Sequence, residues 1–333
     1  MKMLAGDIGG THTRLICAEK NGGGSRTIAE KSYYSADYSD LYQVIDVFLS
    51  EHNINKPVQA ACFAVAGPVE SGAVRITNLP WVVSEEGLRR SLQILRVVLI
   101  NDFVGVAYGI SELKDTDVQV LHQGRADDNI ATCRDSLIMG AGTGLGGSHR
   151  VWLNNRYYGF ASEIGHAGFA PGNEQQDALL AWLREKHPHV SQEMLLSGRG
   201  LFTIYCYLHK VCGFPESAEI GKTIEAASDP AQVITACAVN HKDELCQKTV
   251  ELFVDIYGAI AGNVALHYYP IGELYIAGGI APKIREYMVS QRFVDAFGGK
   301  GTMSSNMGKI SIKMILQEKA GLFGALACAR TLQ

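Results

Sequence analysis

Two glycine-rich turns lie far apart in the chain, Gly6-Asp7-Ile8-Gly9-Gly10-Thr11 near the start and Gly140-Ala141-Gly142-Thr143-Gly144-Leu145-Gly146-Gly147 in the middle. Each follows a short apolar run, Met3 to Ala5 and Leu137 to Met139, and each precedes an alternating one, Thr13 to Ala18 and Ser148 to Leu153. That pattern is strand, tight turn, strand, met twice. Glycine tolerates positive φ and lets backbone N–H groups approach an anion with no Cβ in the way. The duplicated hairpin therefore predicts a nucleotide held by two related domains. A chain of 333 residues has room for two domains of the usual ~100–200 residues each.

The second turn also contains the spacing of a dinucleotide fingerprint, with Gly142, Gly144 and Gly147 in G-x-G-x-x-G. That fold needs a helix after the glycines, whereas Ser148 to Leu153 alternates like a strand. A P-loop is excluded because no G-x-x-x-x-G-K-[ST] occurs. What remains is a β-hairpin cradle for phosphates. Asp7, inside the first turn, suits Mg2+, since a hard cation bound to phosphates takes one or two carboxylates.

Helical spacing of Leu41, Val44, Ile45 and Phe48 is followed by an apolar strand, Ala60 to Val65, which stops at Ala66-Gly67-Pro68. Another apolar run, Val97 to Ile100, stops at Asn101-Asp102. In α/β folds, ligands gather at such carboxyl ends. A helix is predicted from Phe103 to about Glu112, and the polar stretch from Lys114 to Arg134 reads as a crossing between domains. The expected division is 1–112 and 113–318, with a last helix within 319–333 returning to the first domain. The second domain should hold helices at 174–186, 191–210, 217–227 and about 243–268, and a strand at Glu273 to Ala277 that ends on Gly278-Gly279.

A net charge of −4 disfavours nucleic acid as a partner. The eight cysteines form no Cys-x-x-Cys pair, as expected of reduced thiols in a cytoplasmic protein. No run of about 18 uninterrupted apolar residues argues for a membrane span. Asn101-Asp102 can be a helix cap, which both residue types serve well. It can equally place Asp102 to accept a proton from a hydroxyl attacking a γ-phosphoryl group. Glu163-Ile164-Gly165-His166 reads as a surface turn or as a carboxylate and imidazole gripping adjacent sugar hydroxyls, and Glu193 as a first-turn acid of a helix.

Taken in order, Gly6 to Thr11, Asn101-Asp102, Gly140 to Gly147, Glu163-x-x-His166, Glu193 and Leu274 to Pro282 resemble the bacterial ATP-dependent glucokinase family along essentially the whole chain. The resemblance implies an α/β protein of the actin-like ATPase (ribonuclease H-like) fold, with two domains and a central cleft. It implies transfer of the γ-phosphate of Mg-ATP to the 6-hydroxyl of glucose, the first step of glycolysis, with Asp102 as base. Asn101, Asp102, Glu163, His166 and Glu193 would hold the sugar hydroxyls, and the loop carrying Asn78 would approach the sugar. Gly6, Asp7, Ile8, Gly9, Gly10 and Thr11, with Gly140, Gly142, Thr143 and Gly144, would hold the phosphates, and Asp7 the metal. Gly278 and Gly279 would lie against the adenosine. The family also implies a homodimer. A neighbouring group, the repressor/open-reading-frame/kinase family, adds a zinc site of close cysteines, and none occurs here between His166 and Tyr205. His12 is a departure, standing where relatives often carry Asn. The rival expectations are an actin-like ATPase and a hexokinase of another sugar or phosphoryl donor.

Overall fold

The computed structural model describes residues 1–22, 24–125 and 133–332. The chain forms two compact units, one of Met1–Thr116, Arg150–Ala161 and Gln317–Gln333, the other of Asp117–His149 and Ser162–Leu316. The short stretch 150–161, expected with its sequence neighbours, falls in the first unit.

The first unit is built on strands β1 (Lys2–Ile8), β2 (His12–Asn21), β3 (Gly24–Tyr34), β4 (Ala60–Val65), β5 (Ala73–Arg75), β6 (Val82–Ser84) and β7 (Arg96–Asn101). Five of them form a sheet in the order β3-β2-β1-β4-β7. The hairpin pair β1 and β2 is antiparallel, while β1, β4 and β7 run parallel. The strand β4, Ala-Ala-Cys-Phe-Ala-Val, is buried at every position, as a parallel strand covered on both faces should be. One face is covered by the helix Leu41–Glu51 through Leu41, Val44, Ile45 and Phe48. On the other, Leu322, Ala325 and Ala329 of the C-terminal helix Ala320–Thr331 pack on Met3, Ala5, Ala60, Cys62 and Ala64.

The second sheet comprises β8 (Val118–His122), β9 (Ser136–Ala141), β10 (Leu145–Leu153), β11 (Arg156–Ser162), β12 (Glu273–Ala277) and β13 (Ser311–Ile315). Its order is β11-β10-β9-β12-β13-β8. The first five positions repeat the first sheet, with β12 parallel to both β9 and β13 and β8 added antiparallel at the edge. Its core is dominated by the helix Glu244–His267. Among the described residues that is the one helix long and apolar enough to cross a bilayer, and 78% of its apolar window is buried within the protein, as a core helix requires.

Two local expectations change. The polar stretch 114–134 carries strand β8, in which four residues are partly buried and Val120 is exposed, so its apolar alternation is too weak to read; residues 126–132 of that stretch lie outside the described residues. The helix expected over 191–210 is two elements, a 3-10 turn at Gln192–Met194 and a helix at Gly198–Lys210. Ser197 separates them: its hydroxyl accepts from Gly200 N at 3.1 Å, so the chain makes a fresh N-cap there.

Candidate active site

In the first unit, the β1–β2 turn is closed by Gly9 N donating to His12 O at 2.9 Å. Ser35 holds it from behind, its N–H on Thr11 O at 2.9 Å and its hydroxyl on Gly9 O at 3.1 Å. Gly10 is pressed by the neighbouring loop, because a Cβ there would stand 3.2 Å from Thr77 O and 3.3 Å from Asn78 Cβ. Asn78 is left-handed at φ 64° and exposed, and so reaches this turn rather than standing apart from it. Thr11 and His12 are exposed, and His12 packs edge-on to Tyr34 with ring centres 5.9 Å apart. Gly6 lies inside β1 and not in the turn; its missing side chain leaves room for Phe63, Ile8 and Leu15, which a Cβ would meet at 2.7–2.9 Å. Ile8 points its fully buried side chain into the core.

Asp7 closes β1 with its carboxylate 3.6 Å from Arg14 directly across the hairpin. A Cβ on Gly321, at the start of the C-terminal helix, would come within 3.5 Å of that carboxylate. Burial pushes the Asp7 carboxyl upward and Arg14 pulls it back. Asn101 is the N-cap of the helix Asp102–Gly109, its carbonyl oxygen accepting from Phe103 N at 2.9 Å and Val104 N at 3.4 Å. Capping therefore belongs to Asn101. Asp102 is the first helical residue and accepts from Phe103 N at 2.9 Å. A helix amino terminus should favour its ionised form, but here burial outweighs that: the carboxyl is pushed up to about 6, with nearby Asp7 adding to the rise and Phe103 N and Asn101 opposing it.

Glycines fix where this helix lies. A Cβ on Gly324 would overlap Gly105 O, and one on Gly109 would overlap Ala320 O. The helix carrying Asp102 and the helix beginning beside Asp7 thus cross backbone against backbone.

In the second unit, Gly142 N donates to Gly144 O at 2.8 Å, and Gly198 N donates to Gly142 O at 2.9 Å. The turn leads into β10, a strand, which removes the dinucleotide reading of its glycines. Gly140 and Gly278 are demanded by backbone contact, since a Cβ on the first would stand 2.6 Å from Ala277 O and one on the second would run into Ala141 O, with Gly278 at φ 82°. Gly142 and Gly279 instead face open space, with nothing within 4 Å of where a Cβ would stand. Thr143 is exposed at the tip. From below, the fully buried Tyr257 accepts Ala141 N on its hydroxyl at 3.2 Å.

Glu193 lies on the turn itself. Its Oε2 accepts from Leu145 N at 3.0 Å and would be 2.5 Å from a Cβ on Gly144, while Oε1 stands 3.8 Å from Arg199. Glu163 is the N-cap of the 3-10 turn Ile164–His166 and His166 its last residue, their side chains 62% and 69% exposed and 3.8 Å apart. Gly165 between them is required because a Cβ would collide with Leu145 O. His189 Nε2 donates to His166 O at 2.9 Å, and Gln192 N donates to Ala167 O at 2.9 Å. The second unit thus brings Glu163, His166, Glu193 and the glycine turn at 140–147 together around Leu145.

Sequence reasoning misses Arg14, Ser35 and Tyr257. Arg14 is readable as the residue facing Asp7 in a short hairpin; Ser35 and Tyr257 sit too far along the chain to be paired with these turns.

Asp7 suits Mg2+ as a single carboxylate leaving the remaining positions to water and phosphate, and among the described residues no group of three or more His, Cys, Asp or Glu side chains could enclose a metal. The open faces of Gly142 and Gly279 are the kind of space a phosphate or nucleoside can fill.

A family model described as Glucokinase matches residues 4–332. The glucokinase of Nostoc sp. is 40% identical over 99% of this chain and 99% of its own. The crystal structure of a glucokinase from an Antarctic psychrotroph superposes with a TM-score of 0.83 at 32% identity, covering 99% of this chain and 98% of that one. A glucokinase of the repressor/open-reading-frame/kinase group from Streptomyces griseus, solved with glucose and AMPPNP, shares the fold with a TM-score of 0.64 at 18% identity, over 99% of each chain.

Proposed function

Because the chain belongs to the glucokinase family, we propose that it transfers the γ-phosphoryl group of Mg-ATP to the 6-hydroxyl of glucose, with Asp102 as the base. The observation that carries the mechanism is the Asp102 carboxyl, held by Phe103 N at the head of its helix and pushed up to about 6 by burial. A general base works best with a proton affinity near the operating pH, and an Asp at its ordinary ~3.9 is a poor acceptor. Phosphoryl transfer through a loose transition state asks chiefly for an oriented nucleophile and a late proton acceptor, which a carboxylate oriented by Phe103 N and Asn101 offers.

Asn101, Glu163, His166 and Glu193 hold the other hydroxyls in this reading, which also has the loop carrying Asn78 approach the sugar. A site of hydrogen-bonding side chains built around hydroxyls can reject a sugar lacking one of them by ~10⁴–10⁵ in rate. Asp7, Gly9, Gly10 and Thr11 serve one phosphate turn, Gly142, Thr143 and Gly144 the other, and Gly279 leaves room for the nucleoside. Mg2+ on Asp7 would neutralise phosphate charge; Arg14 favours the ionised form of Asp7 that this requires. Gly6, Ile8, Gly140 and Gly278 act through the backbone path they permit.

Asp102→Ala, assayed for sugar-phosphate formation with glucose, mannose, fructose and N-acetylglucosamine against ATP, ADP and polyphosphate, and for ADP release with ATP, tests the reading. Turnover should fall ~10²–10⁴-fold, with ATP affinity little changed. ATP turnover independent of sugar in the wild type refutes it. A cytoplasmic homodimer completes the proposal: light scattering should give twice the chain mass of 36.1 kDa, and a single chain mass refutes the dimer.

A further inference from the structure

Glu193 does more than a sugar ligand needs to do. Its Oε2 is committed to Leu145 N at 3.0 Å, just after the exposed tip of the phosphate turn, and the carboxylate lies so close over Gly144 that any side chain there would strike it at 2.5 Å. The other face of the same peptide segment, Leu145 O, is packed on Gly165, the residue between Glu163 and His166. The Glu193 turn and the Glu163–His166 turn are joined by Gln192 N on Ala167 O at 2.9 Å. Behind, Ser197 Oγ donates to Glu193 O at 2.8 Å, and Gly198 N donates to Gly142 O at 2.9 Å. The backbone of the phosphate turn is thus held at Gly142, at Leu145 N and at Leu145 O by the segments that carry the acids.

We propose that Glu193 is a positioning residue for the phosphate turn, and that a sugar hydroxyl hydrogen-bonded to its carboxylate changes the grip on Leu145 N and so couples sugar binding to nucleotide binding. The inference rests on the glucokinase reading. Its chemistry is that of one carboxylate with two oxygens. Oε2 takes Leu145 N, and Oε1, 3.8 Å from the largely exposed Arg199, can accept from a hydroxyl. A hydroxyl that binds there replaces the weak Arg199 contact by a charge-assisted hydrogen bond, which orders the Glu193 side chain and with it the turn. By linkage, whatever the sugar adds to nucleotide affinity the nucleotide must add to sugar affinity.

Glutamine separates the two duties. Its single carbonyl oxygen can still accept from Leu145 N, but the group then presented to the sugar is a donor. Alanine loses both. The experiment measures the affinity of a non-hydrolysable ATP analogue by calorimetry, with and without saturating glucose, in the wild type, Glu193→Gln and Glu193→Ala, and records glucose phosphorylation alongside. In the wild type, glucose should tighten the analogue about fivefold or more. Glu193→Gln should keep the sugar-free affinity within about twofold and lose the tightening. Glu193→Ala should weaken the sugar-free affinity about tenfold, the factor expected for one lost hydrogen bond. As a further variant that keeps the acid, Gly144→Ala should weaken sugar-free binding by displacing the carboxylate. Unchanged analogue affinity in Glu193→Ala, or full tightening in Glu193→Gln, overturns the inference. Wild-type turnover of glucose without any tightening also overturns it and leaves the glucokinase reading standing, whereas no phosphorylation of glucose overturns both.

Discussion

A carboxyl that must take up a proton serves best when ionisation is not too comfortable, and Asp102 pays for that with stability. Its folded-state proton affinity sits at about 6 against an ordinary carboxyl near 3.8, so keeping it ionised at neutral pH destabilises the fold by on the order of 2–3 kcal/mol. The sign follows from the upward direction. The penalty is fully present above about 6 and disappears below the unfolded value. Asp102→Asn retains an oxygen for Phe103 N and removes the charge. The variant should therefore be more stable than the wild type by ~1–3 kcal/mol in urea unfolding at pH 7, while its turnover collapses, and the stability gain should shrink to nothing as the pH falls from 6 towards 4. A variant no more stable at pH 7 than the wild type contradicts the strained carboxyl. As the proposed base, the same group should set the acid limb of the wild-type profile: kcat/KM should fall tenfold per unit of pH below about 6, and an unchanged rate at pH 5 contradicts the base assignment.

Helix against helix, the position of that residue is set by three glycines. Gly105 and Gly109 on the helix Asp102–Gly109 and Gly324 on the C-terminal helix stand where the two backbones meet, and at none of the three is there room for a methyl group. Gly324→Ala should therefore cost ~1–3 kcal/mol or more in urea unfolding and also lower kcat, because the helix that moves is the one that presents Asp102. Gly298→Ala is the control: nothing stands within 4 Å of its Cβ position, so stability should stay within about 0.5 kcal/mol. Equal losses in the two variants would mean that the crossing is not what matters. None of this was legible in the sequence. Gly105 and Gly109 show their spacing, but which helix they meet is settled more than 200 residues later in the chain. The motifs that could be read were those whose parts are sequential. Gly9-Gly10-Thr11 closes on itself, and Asn101 caps the helix that follows within three residues. The reach of Glu193 to Leu145 and of Ser35 to Gly9 spans unrelated segments, and composition says nothing of it.

For the molecule as a whole, the duplication announced by two glycine turns is real at the level of sheets, with β3-β2-β1-β4-β7 repeated as β11-β10-β9-β12-β13. What the chain did not announce is β8, a half-exposed edge strand, and the division of the β10–β11 segment between units. Edge strands and short crossings carry few buried side chains, so hydrophobic periodicity is weakest where they occur. Sugar binding should also register in the stability of the entire fold. A ligand that binds only the folded chain stabilises it by ~2.7 kcal/mol at a hundred times its dissociation constant, so saturating glucose should raise the thermal midpoint of the wild type. Replacing Glu163 and His166 together by alanine should abolish that shift, since their side chains are exposed in the free protein and their loss should leave the unliganded midpoint nearly unchanged. Glucose lacking its 6-hydroxyl should still raise the midpoint through the remaining hydroxyls, but by less, because Asp102 then gains no partner. If 6-deoxyglucose stabilises the protein as strongly as glucose does, Asp102 does not meet the 6-hydroxyl, and the acceptor oxygen must be another of the sugar's hydroxyls.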